Sequence, residues 1–117
     1  MHLKSGDMFV AAALLTVMLP GRAQSQASFT AAQAAEGQPG YTQNCAGCHG
    51  LNLDDGEFAP PVKGTAFTQQ WGGKSVGELF SYISTKMPPS NAGALGDPAY
   101  LQITAFILQS NGLQPGV

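Results

Sequence analysis

Asn44-Cys45-Ala46-Gly47-Cys48-His49 is the stretch that decides how this 117-residue chain is read. On a helix, residues three and four apart share a face. Cys45 and Cys48 therefore line up along one edge of a porphyrin, where two thiols can bond its two vinyl groups. His49 follows directly and swings its imidazole beneath the ring, toward the iron. Ala46 and Gly47 are small enough to let the backbone lie close. The pattern is that of covalent haem c attachment, with Cys45 and Cys48 as thioether partners and His49 as an axial ligand.

Other chemistries need residues that are missing. A redox thiol pair of the thioredoxin type wants a βαβ context, and no such pattern occurs. Zinc wants four Cys, His or carboxylate ligands in tetrahedral order, yet the chain beyond His49 holds no other His and no third Cys. A plain disulfide is the default for a Cys pair in an oxidising compartment, but it leaves the adjacent His unexplained. The second axial ligand follows by counting. Met1, Met8, Met18 and His2 all fall in the first 27 residues. Met87, 38 residues after His49, is the single thioether left. A Met on an apolar helix face ordinarily fills core. Its uniqueness, its place at a helix exit and the stiff Pro88-Pro89 behind it favour iron ligation, in a His/Met pair.

Working outward, Val and Ile are sparse and no run alternates with period two, so the chain is expected to be all-α, with three to four short helices. A first helix should approach and include Asn44 to His49. Thr30 can cap an early start over Ala31 to Ala35. Pro39 fits a first turn but breaks an interior, so the helix either starts near Gln38 or kinks there. Gly50 to Thr65 is loop, with a short helical turn around Ala66 to Gln70 ended by Gly72-Gly73. Ser75-Val76-Gly77-Glu78 is a capping-box pattern. Val76, Leu79, Phe80 and Ile83 follow on one helix face, and Pro88 stops that helix at Met87. Asp97 can cap the last helix, Pro98 suits its first position and Asn111-Gly112 its end. Its apolar residues cover most of the circumference, leaving Gln102 and Gln109 as a polar stripe, so it should pack on more than one neighbour.

The start of the chain is set apart. Met8 to Leu19 is a 12-residue run without charge, followed by Pro20-Gly21 and small residues. It is too short for a spanning helix of about 20 residues. Residues 1–27 are expected to be a secretory signal peptide cleaved near Ala23 or Ala27, leaving a domain over 28–117 with no membrane span, periplasmic or secreted. Three Lys against six carboxylates then give a charge of −3, and without a basic cluster nucleic acid is not expected as a partner. Ninety residues bury little core, and chains of that size often need a cofactor to stabilise them.

With these residues in view, the chain resembles a class I monohaem cytochrome c. It is similar to the small bacterial haem c domains that partner quinoprotein alcohol dehydrogenases, over roughly Gly37 to Gly112. The resemblance implies the cytochrome c fold, helices wrapped around one haem with the first and last packed together. Gly37 and Tyr41 would then meet Ile103 and Phe106, the glycine letting two backbones cross closely. It implies that a carbonyl in Ala59-Pro60-Pro61-Val62, that of Pro60, accepts the proton of the ligating imidazole. Trp71 matches an aromatic near a haem propionate, with an ordinary core Trp as the alternative. The family's helix usually runs straight through the position of Pro39-Gly40, and the lysine-rich face of mitochondrial cytochromes is absent. The implied function is electron transfer, not catalysis: electrons accepted from a dehydrogenase and passed to an oxidase or another cytochrome. The alternative is a small-ligand-binding or peroxidase-like haem protein with a displaceable Met. Leu51, Leu53, Phe58 and Val62 are candidates for an apolar patch at the exposed haem edge.

Overall fold

Thr30 opens the first helix by a reciprocal cap. Its hydroxyl accepts the Gln33 N–H at 3.1 Å, and the Gln33 side chain accepts the Thr30 N–H at 2.9 Å. Two of the helix's orphan donors are satisfied in this way. The computed structural model describes residues 28–116, so the expected signal peptide, 1–27, lies outside the described residues. Helix α1 runs Ala31–Asn44, α2 Ala46–His49, α3 Thr65–Trp71, α4 Val76–Lys86 and α5 Asp97–Ser110, with a 3₁₀ turn at Pro89–Asn91. Among the described residues there is no strand, only an isolated bridge between Thr30 and Gly116.

Among the described residues five helices stand where three to four were expected. The run through Asn44 to His49 is split at Cys45, whose backbone (φ −122°, ψ −34°) leaves helical geometry for one residue. α1 does not start near Gln38 but at Ala31, with Pro39 inside it. Ala35, whose carbonyl loses its partner there, is exposed, and water can take the lost bond. The cap of α5 is also shifted by one. Gly96 holds the cap position without a side-chain bond, and Asp97 is the first helical residue, where a carboxylate suits the positive end of the helix dipole. The Ser75–Glu78 capping box opens α4, and Met87 closes it in extended conformation.

The fold is organised by the crossing of α1 and α5. Gly37 is buried at that crossing, and a Cβ there would land on the Gln102 carbonyl. Tyr41 and Phe106 stack at 5.4 Å between centroids. Tyr41, Tyr100 and Ile103 are the largest fully buried side chains, each contributing about 1.5–3 kcal/mol of apolar burial. The polar stripe expected on α5 is half realised. Gln109 is exposed, but Gln102 turns to α1 and donates to Glu36 Oε2 at 2.9 Å. α4 packs on the other flank of α5, so α5 has the two neighbours its apolar circumference requires.

Candidate functional site

α1 and α2 carry the two thiols and the imidazole to one wall of a cleft of about 450 Å³. That size is within the ~300–1,000 Å³ of pockets for small molecules and cofactors. Cys45 and Cys48 are free thiols, the first half-buried and the second exposed. Burial, and then the neighbouring Cys48, push the Cys45 thiol up to about 11. It therefore stays protonated and uncharged at neutral pH. Among the described residues no three His, Cys, Asp or Glu side chains converge, which leaves no zinc cage of that kind.

The loop after α2 folds back on the attachment motif. Ala59 N–H donates to the Cys48 carbonyl at 3.1 Å. His49 Nδ1 lies 2.7 Å from the Pro60 carbonyl. A carbonyl only accepts, so Nδ1 carries the proton, and in the neutral ring that leaves the lone pair a metal requires on Nε2. Gly50 bends the chain at φ +95°, and its carbonyl accepts the buried Tyr41 hydroxyl at 2.7 Å. Burial raises the Tyr41 phenol well above its ordinary value, so it remains a donor. Gly56 passes against the Cys48 carbonyl, where a Cβ would collide. Asp55 ties the turn by accepting from Asn52 N–H at 2.9 Å and Asn52 Nδ2 at 2.7 Å. These bonds to Asn52 hold its carboxyl below the usual range.

A second part of the lining, the second wall, comes from α3, α4 and the segment after it. Phe67, Leu79, Ile83 and Met87 belong to it, and Ile103 and Ile107 of α5 line the same cleft. Trp71 lines the same cleft, edge-on to Tyr82 at 5.2 Å and beneath Lys74 Nζ at 4.8 Å. Cys45, Cys48, His49, Pro60, Trp71 and Met87 are thus brought together around one space. Its chemistry fits a haem: two unpaired thiols three residues apart, an imidazole with a free Nε2, a thioether and an apolar lining.

The apolar patch is only partly present. Phe58 is 79% exposed and Leu51 69%, whereas Val62 is half-buried in the cleft and Leu53 is 4% exposed. Leu53 takes φ +68° and turns inward, its carbonyl accepting Val62 N–H at 2.8 Å. It is core and does not belong to a surface patch. Two residues that sequence reasoning passed over also serve the cleft. Asn111 receives Gly64 N–H at 2.9 Å and donates to the Val62 carbonyl at 3.0 Å. Tyr100 donates its hydroxyl to the Met87 carbonyl at 2.6 Å. Tyr100 was legible only as an apolar position and Asn111 only as a helix end, because both partners are distant in the chain.

A protein-family model described as cytochrome c oxidase, cbb3-type, subunit III matches residues 32–107, more than half of the chain. The match begins in the first turn of α1 and ends within α5, so both walls of the cleft lie inside it. No curated protein and no solved structure matches.

Proposed function

The chain belongs to this family of c-type cytochrome domains, and from that premise we propose that it is a monohaem carrier with His49 and Met87 as axial ligands. A domain of this family carries covalent haem c and transfers electrons, and is not itself an enzyme. When bound, the haem supplies a reversible one-electron centre. The chain's own residues do the rest. Cys45 and Cys48 hold the ring through thioethers. Pro60 fixes the imidazole by its proton, so that Nε2 faces the metal. Met87 brings the thioether, which favours the reduced state and raises the potential. Phe67, Leu79, Ile83, Ile103 and Ile107 keep water from the ring.

The observation that carries this reading is the shared cleft. It gathers the motif, the Pro60 acceptor and the only Met of the described residues from three separate segments. Trp71, half-buried in its lining, is a candidate partner for a propionate, since an indole N–H withdrawn from water needs an acceptor.

Export and partners extend the proposal. The uncharged run Met8 to Leu19 with small residues behind it supports a cleaved leader over 1–27, and thioether attachment suits a compartment beyond the inner membrane. Among the described residues, no helix is long and apolar enough to cross a membrane. Electrons would come from a dehydrogenase and leave to an oxidase or a second cytochrome. The oxidase subunit in the family's description favours the former acceptor.

The test is a pair of spectra. Protein matured with haem c, wild type and Met87→Ala, is compared in the oxidised and reduced states. The expected result is a sulfur-to-iron charge-transfer band in the oxidised wild type that is lost in the variant. A high-spin wild type that binds carbon monoxide at low concentration when reduced would instead mean an open site and a ligand-binding or peroxidase-like protein.

A further inference from the structure

Met87 is gripped on both sides of its backbone. Its N–H still belongs to α4, donating to the Ile83 carbonyl at 3.0 Å. Its carbonyl has left the helix and would be an orphan at the helix end. Tyr100, from α5, meets that carbonyl with its hydroxyl at 2.6 Å. The same oxygen accepts Leu95 N–H in a longer contact of 3.4 Å. One phenol therefore joins both ends of the segment Met87–Leu95. The other hydrogen bonds described there are local, Asn91 N–H to Pro88 and Ala94 N–H to Asn91. Pro88 and Pro89 stiffen the segment but have no N–H with which to tie it to another element. Tyr100 itself is 1% exposed, and it shares a helix face with Ile103 and Ile107, which line the cleft.

We propose that Tyr100 is the positioning residue for Met87, holding the thioether segment against α5 so that the sulfur stays in the cleft, where it would reach the metal. This rests on Met87 being the second axial ligand. Stiffness from the two prolines sets the shape of the segment. The Tyr100 hydroxyl sets where that shape is anchored. Loss of a buried bond between elements leaves the Met87 carbonyl unpaired and lets the segment swing away.

Imidazole is the probe, because it competes with the thioether for oxidised haem. In Tyr100→Phe holoprotein, imidazole should bind about tenfold more tightly, the free-energy scale of one buried hydrogen bond. The sulfur-to-iron band should weaken. Thr104→Val is the control. It removes another buried α5 hydroxyl, one bonded at 2.7 Å within its own helix to the Tyr100 carbonyl, and should leave imidazole affinity unchanged at a similar loss of stability. Unchanged affinity in Tyr100→Phe, or an equal gain in Thr104→Val, overturns the proposal. Met87→Ala separates the two readings. A band that survives in Met87→Ala defeats the ligation and the positioning role with it. A band lost in Met87→Ala but untouched in Tyr100→Phe defeats the positioning role alone. Linkage allows a check on wild type as well, should Tyr100→Phe not fold: displacing Met87 must loosen the Tyr100 grip. Leu95 N–H should exchange faster in imidazole-saturated protein than in free protein, and equal exchange overturns the proposal.

Discussion

The two walls of the cleft are built by different means. The wall that carries the imidazole is tied together by neighbours in sequence. Tyr41 to Gly50, Ala59 to Cys48, His49 to Pro60 and Asn52 to Asp55 all span 11 residues or fewer. The wall that carries the thioether has few bonds of its own beyond α4, and its exit segment is anchored by a phenol from another helix. The lesson is that the turn around the imidazole is held chiefly by local bonds, whereas the exit of the thioether segment is held by a tertiary contact. Both meet on α5, whose Tyr100 holds the Met87 segment while Asn111 at its end holds the loop at Val62 and Gly64.

Breaking the shared helix should erase the difference, and with the largest effect. Gly37→Val places a branched side chain on the Gln102 carbonyl, so α1 and α5 must separate. A loss of about 3 kcal/mol is expected from overpacking of this kind, read from the denaturant midpoint. Amide exchange should rise on both walls. Protection lost on one wall only would show that α5 is not the common support.

Asn111→Ala should sharpen the comparison by loosening the imidazole wall alone. It hands the exposed Gly64 N–H to water and removes a donor from the part-buried Val62 carbonyl, for about 1 kcal/mol in total. Gly64 exchange should accelerate while the sulfur-to-iron band stays in place. Acceleration at Leu95 would contradict the separation of the walls.

Ser75→Ala acts on the thioether side at its far end. The lost N-cap of α4 should cost about 1 kcal/mol, measured by urea unfolding. The His49–Pro60 side should keep its exchange protection, and a matching loss there would join what we have described as two units.

The smallest effect is the acid response of the Asn52–Asp55 turn. Bonds from Asn52 lower the folded-state carboxyl below its ordinary 3.8. Its contribution is therefore complete above that value, and it is lost as pH falls through the lowered folded one. Asp55→Asn should flatten the stability profile below about pH 4. Identical slopes for variant and wild type would remove Asp55 from the account.

Legibility in the sequence followed the same division. Cys45, Cys48 and His49 stand in one six-residue stretch, and their joint placement needs only helical periodicity. Ser75 and Glu78 announce α4 because a capping box is a three-residue relation. Met87 was reached by elimination, since no other thioether remains beyond residue 27. Leu53 was misplaced because its inward turn depends on a positive φ and on a bond to Val62, neither of which a leucine advertises. The break at Cys45 was missed for a related reason. Helical spacing alone argues for continuity, and nothing local shows a one-residue departure.

By itself, the sequence determined the all-α class, the attachment motif and the helix ends at Ser75 and Met87, while the pairing of α1 with α5 through a glycine entered only through the family resemblance. What the sequence determined depends on relations within a few residues, or on a single residue type that cannot be replaced. Only the tertiary structure decided which groups steady the cleft: Tyr100 on the Met87 carbonyl, Asn111 on the Val62 loop and Gly56 beneath Cys48. Each is a contact between residues whose identities are common and whose meeting depends on how α5 crosses α1. A phenol needs an acceptor when buried, but which carbonyl it finds is settled by packing.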